Sequence, residues 1–107
     1  MIFEYEELKE YIEEDFEQFY KIGFNEKQIF PAVLNEYEHG EDFGLVENIC
    51  IHLFLVLIYA ERNWDCHAII EELNQLMNGE VENEIKIELG EDYTKFITDF
   101  NNARNNK

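Results

Sequence analysis

Between Leu45 and Ile58 the chain reads LVENICIHLFLVLI. As a helix it has no polar side to turn toward water. Leu45, Val46, Ile49, Cys50, Ile51, Leu53, Phe54, Leu55, Val56, Leu57 and Ile58 point in almost every direction around the axis. A helix that is apolar on all faces must be covered on all faces. The uncharged run Ile49–Ala60, broken only by His52, is too short for a membrane span, which needs about 20 residues. The cover must therefore come from the rest of the chain. With 107 residues, enough to bury somewhat over ~60% of the unfolded surface, the expectation is one all-α domain over 1–107. Its form would be a compact bundle of about five helices around a central buried one.

The covering helices are written in periodicity and punctuation. Tyr5, Leu8, Ile12, Phe16 and Phe19 recur at intervals of three and four, giving a helix over about 2–21 that Gly23 ends. Asn25 and Gln28 carry a capping-box spacing, with Phe24 and Ile29 placed as a hydrophobic staple. Pro31 leaves two alternatives: the second helix kinks there, or it begins there. Val33, Leu34 and Tyr37 continue it to a stop at Gly40. Asp42 is placed to cap the third helix, about 43–62, and Asp65 the fourth, whose stripe is Ile69, Ile70, Leu73, Leu76 and Met77. Residues 80–89 fit a helix through Val81, Ile85 and Leu89, or a strand through Ile85, Ile87 and Leu89. Helix is preferred, because a lone strand has no partner for its hydrogen bonds. Tyr93, Phe96, Ile97 and Phe100 mark a last helix, about 92–104.

Charge is the second strong signal. Eight Lys and Arg stand against 25 Asp and Glu, a formal charge of −17. Solubility alone asks for a magnitude of about 2–8, and the excess opposes compaction through self-repulsion. Aromatics at 15% set the chain apart from a disordered acidic tail. Nucleic acid and anionic membranes are disfavoured as partners, and a basic macromolecule is the natural complement. The excess is densest in EYEELKEYIEEDFE, residues 4–17, with eight acids and one Lys9. On a helix Glu6, Glu10, Glu13, Glu14 and Glu17 share a stripe about 100° wide, roughly opposite the apolar one. The pairs 6/10, 10/14 and 13/17 are like charges four residues apart, each costing about 0.2–0.5 kcal/mol in an isolated helix. Elsewhere the chain avoids this cost, with Glu17/Lys21, Glu82/Lys86 and Glu91/Lys95 spaced for attraction. A local rule broken in one place marks a candidate functional face; the alternative is an ordinary solvated acidic surface. A second candidate lies at the turn after the second helix, where Tyr37, Glu38, His39, Glu41 and Asp42 combine aromatic anchors with a charged rim.

Catalytic and metal-binding patterns are missing. His39 with Glu36, and Asp65 with His67, form no HExxH pair or zinc framework. His52 reads as a hydrogen-bonded core residue. Adjacent Cys66 and His67 point about 100° apart on a helix and do not meet. No phosphate-binding glycine loop, EF-hand or di-iron ExxH pair occurs. The chain reads as a non-enzyme without cofactor or metal. Cys50 and Cys66 lack CxxC spacing, no signal-peptide pattern precedes the first helix, and reduced thiols in a cytoplasmic protein are the expectation.

The segment EYEELKEYIEEDFEQFYKIGFNEKQIFPAVLNEYEHGEDF, followed by ENICIHLFLVLIYAERN, resembles a family of small all-helical bacterial immunity proteins, the third numbered immunity family of polymorphic toxin systems. The resemblance covers about residues 1–78 and rests on overall pattern and on IFPAVLNEYEHGEDF. It implies a cytoplasmic protein that binds the toxic C-terminal domain of a cognate secreted toxin. The competing reading is a general acidic interaction module, or a DNA mimic that inhibits without one dedicated partner.

Overall fold

The computed structural model describes residues 4–40 and 43–105. All regular structure among them is helical. Five helices have ten or more residues: α1 (Tyr5–Lys21), α2 (Glu26–Glu38), α3 (Leu45–Glu61), α4 (His67–Leu76) and α6 (Tyr93–Arg104). Between the last two lie the eight-residue α5 (Glu82–Leu89) and a single 3₁₀ turn at Gly90–Asp92.

The apolar-all-round segment does what its pattern demands. α3 packs against α1, α2, α4, α5 and α6, and its residues from Ile49 to Val56 are all buried. Two of its polar members, His52 and Glu47, are bonded within the helix or at its start, whereas the buried Asn48 Oδ1 has no hydrogen-bond partner among the described residues. His52 is 2% exposed; its Nδ1–H donates to the Asn48 carbonyl at 2.8 Å and its ring stands edge-on to Phe30. Glu47, also buried, accepts the Gly44 N–H at 2.8 Å and so closes the N-terminus of α3. The helix thus starts two residues later than the spacing suggests, and Asp42, the expected cap, lies outside the described residues.

α1 buries Tyr5, Leu8, Ile12 and Phe16 against this centre, while Phe19 is half-buried and stacks on Phe24 at 5.1 Å. Gly23 ends the helix at φ +100°, a backbone that side chains rarely adopt, and lets the Phe24 N–H reach the Phe19 carbonyl at 3.0 Å. The capping box then forms in full: Asn25 Oδ1 accepts from the Lys27 and Gln28 amides, and Gln28 Oε1 accepts from the Asn25 amide.

Of the two alternatives at Pro31, α2 begins before the proline and runs through it. Tyr59 of α3 reaches the turn just before the proline. Its hydroxyl accepts the Phe30 N–H at 3.0 Å and donates to the Glu26 carbonyl at 2.6 Å, bridging two groups that are helical ladder partners. Burial pushes the phenol up to about 12, although the Phe30 amide pulls the other way.

At the far end of α3, Asn63 adopts φ 57° and turns the chain so that the Trp64 N–H bonds the Tyr59 carbonyl at 2.9 Å. Asp65, expected as the cap, stands one residue before the N-cap of α4, Cys66, and serves the helix start from there, its Oδ1 accepting the His67 N–H at 3.0 Å. Of residues 80–89, Glu82–Leu89 settle as helix for a visible reason. Ile85 and Leu89 are buried on one face, whereas Ile87, which a strand would have aligned with them, is 81% exposed. α6 closes the bundle over the start of α1, where the Tyr5 hydroxyl donates to Asp99 Oδ2 at 2.7 Å. Cys50 and Cys66 are buried and not joined by a disulfide, and burial raises both thiols above their ordinary range. No described helix is long and apolar enough to cross a membrane.

Candidate partner-binding face

α1 presents the acidic stripe on the side away from α3, but its five members are not equivalent. Glu10, Glu13 and Glu14 are exposed, and among the described residues no ion pair engages them. The two ends differ. Glu6 lies 3.8 Å from Lys95 of α6, a half-exposed contact of small energetic weight. Glu17 is half-buried and bonds the Arg62 guanidinium at the C-terminal end of α3. That guanidinium lies over three rings, 4.7 Å from the Phe16 centroid, 4.5 Å from Tyr20 and 5.9 Å from Trp64.

Two local pairings are thereby corrected. Glu17 goes to Arg62 rather than Lys21, because a planar guanidinium stacks on aromatic faces while it pairs, which an ammonium on a flexible stem does less well. Lys95 goes to Asp92 at 3.6 Å and to Glu6 rather than to Glu91. Glu82 and Lys86 pair as the spacing indicates, at 3.5 Å. Lys9, the one base within the acidic segment, turns off the ridge toward Asp99 at 3.4 Å and the Phe54 ring. What remains outward is a row of carboxylates beside a shallow depression of about 430 Å³ that runs from Glu10 to Lys21.

The second candidate cluster is split. Tyr37 is half-buried and its hydroxyl donates to Asp15 Oδ2 of α1 at 2.5 Å, so its polar end serves the α1–α2 interface and is not a free anchor. Burial, reinforced by Asp15, drives its phenol far above the ordinary range. Glu36 stands at the same seam. Partial loss of hydration and the Asp15 charge raise its carboxyl, modestly in effect because the residue is exposed. Glu38 and His39 are exposed, and Phe43 packs against the core. Glu41 and Asp42 lie outside the described residues.

Sequence reasoning passed over Asp15, Tyr59 and Arg62, and weighed Glu36 only beside His39. Asp15 sits about 180° from Glu6, at the margin of the apolar stripe, and that position was a usable signal. Arg62 and Glu17 are 45 residues apart, so no local spacing announces them. Among the described residues no group of three or more His, Cys, Asp or Glu side chains is gathered to hold a metal. No family model, curated protein or solved structure matches the chain.

Proposed function

We propose that this protein is an immunity-type inhibitor, a cytoplasmic protein that binds and neutralises the toxic domain of a cognate secreted toxin through the exposed ridge of α1. One observation carries the reading: among the described residues no ion pair engages Glu10, Glu13 and Glu14, on a helix whose flanking acids, Glu6 and Glu17, each have one. The resemblance of residues 1–78 to the all-helical immunity family points the same way.

The matching partner surface is a basic cleft, as in nucleases that bind phosphates. Docking the ridge over such a cleft excludes substrate by occupation. The net charge of −17 steers encounter, with rates up to about 10⁸–10⁹ M⁻¹s⁻¹ at low salt, while desolvated anchor residues govern how long the complex lasts.

The test is a charge reversal, E10K/E13K/E14K, assayed against the toxin domain encoded beside this gene. Association is expected to slow sharply and protection of cells to be lost, with helical circular dichroism unchanged. A folded triple variant that protects as well as the parent removes the α1 ridge from the mechanism.

A further inference from the structure

The corner where α3 gives way to α4 holds a cavity of about 470 Å³, within the range of sites that take one small ligand or side chain. Its apolar wall is Trp64 and Ile70; Asp65, His67, Glu71 and Asn74 supply the polar lining, and no lysine or arginine is among them. Asp65 is positioned rigidly, since its carboxylate accepts the His67 N–H and its backbone N–H donates to Glu26 Oε2 at 3.1 Å. Cys66, also at the wall, is kept a neutral thiol by burial and offers no soft anion to a metal.

An indole beside two carboxylates has a specific preference. The ring quadrupole and the carboxylates all favour a cation, and a flat guanidinium can stack on the one while it hydrogen-bonds the others. The molecule contains its own demonstration of this chemistry on the same residue. Arg62 lies over Trp64, Tyr20 and Phe16 while it bonds Glu17.

We propose that this cavity is a second binding site, a pocket for an arginine side chain of a protein partner. It shares with the α1 reading only the basic character of that partner. A ridge of exposed acids attracts any cation. A cavity that sets an indole beside the Asp65 and Glu71 carboxylates distinguishes arginine from lysine, which is a property of a binding hot spot.

Trp64 is the sole tryptophan, so its fluorescence reports on the pocket directly. The probe is a short blocked peptide with one arginine, compared with peptides carrying lysine or the uncharged isostere citrulline. Titration at about 0.15 M salt keeps diffuse attraction screened. The expected result is a saturable change for the arginine peptide, with amide and indole shifts confined to 64–74. Affinity should fall roughly tenfold in D65N/E71Q, where asparagine keeps an acceptor for the His67 N–H. The triple variant E10Q/E13Q/E14Q should bind as the parent does. Equal binding of the citrulline or lysine peptide, unsaturable shifts spread along α1, or full affinity in D65N/E71Q would each overturn the proposal. No toxin enters the assay, so its failure leaves the α1 reading standing, and failure of the charge-reversal experiment leaves the pocket standing.

Discussion

The C-terminal end of α1 and its middle treat the same residue type in opposite ways. At the end, Glu17 meets an arginine held among Phe16, Tyr20 and Trp64, partly out of water. One to two turns earlier, Glu10, Glu13 and Glu14 face solvent with like charges for neighbours. The chain has the means to neutralise a helical acid and applies it where the acid supports packing. The middle of the helix is therefore a region where stability is given up, and the size of that loss can be measured against the gain at the clamp.

The contrast is tested most severely at the aromatic end. Phe16→Ala empties a fully buried site beneath Arg62 and should cost about 3–5 kcal/mol, a large share of the stability of a domain this size. Chemical denaturation will show it; a loss under about 1 kcal/mol would mean the cluster is not part of the core. Tyr59→Phe leaves the Phe30 amide and the Glu26 carbonyl without their bridge and is expected to cost about 1–3 kcal/mol. Arg62→Met keeps the stem's packing but removes the stacked charge, for a loss of about 1–2 kcal/mol that adding salt only partly reproduces in the parent.

The middle of α1 should respond with the opposite sign. E10Q/E13Q/E14Q relieves several like-charge pairs and should raise stability by about 0.5–1.5 kcal/mol at low salt, with the gain shrinking as salt is added. Destabilisation on that substitution would show the ridge to be structural. The smallest effect belongs to Glu36. Its carboxyl titrates above the ordinary 4.5 in the folded protein, so the folded state holds the proton more tightly than the unfolded one. The stability this confers is present below that ordinary value and is lost as pH rises through the folded one. Glu36→Gln should therefore gain on the parent between about pH 4 and neutrality, and thermal melts at both ends of that window will give the sign.

These regions also differ in how far sequence could reveal them. The buried stripe of α1, the Asn25–Gln28 box and the enclosure of α3 are properties of neighbours in the chain, and local spacing conveyed them correctly. The helical state of 82–89 followed from asking where a lone strand would send its hydrogen bonds. Spacing failed where a distant group outcompeted a near one. Lys21 is four residues from Glu17, yet Arg62 takes it because three rings from α1 and the α3–α4 turn hold the guanidinium in place. At Pro31 spacing left two alternatives open, and the helix that starts before the proline is the one that forms, with the Phe30 amide held by a phenol from another helix. Tyr37 looked like a free aromatic anchor until its partner Asp15, 22 residues away, was in view.

The Tyr59 bridge has a consequence for how the molecule opens. Because one hydroxyl serves both a donor and an acceptor of α2, that helix cannot peel away from α3 without abandoning two polar groups at once. Fraying of the proline-containing segment is thereby tied to disruption of the protein's centre. The Phe30 amide, though close to a helix start and beside a residue that usually loosens helices, should exchange with deuterium as slowly as amides in the middle of α3.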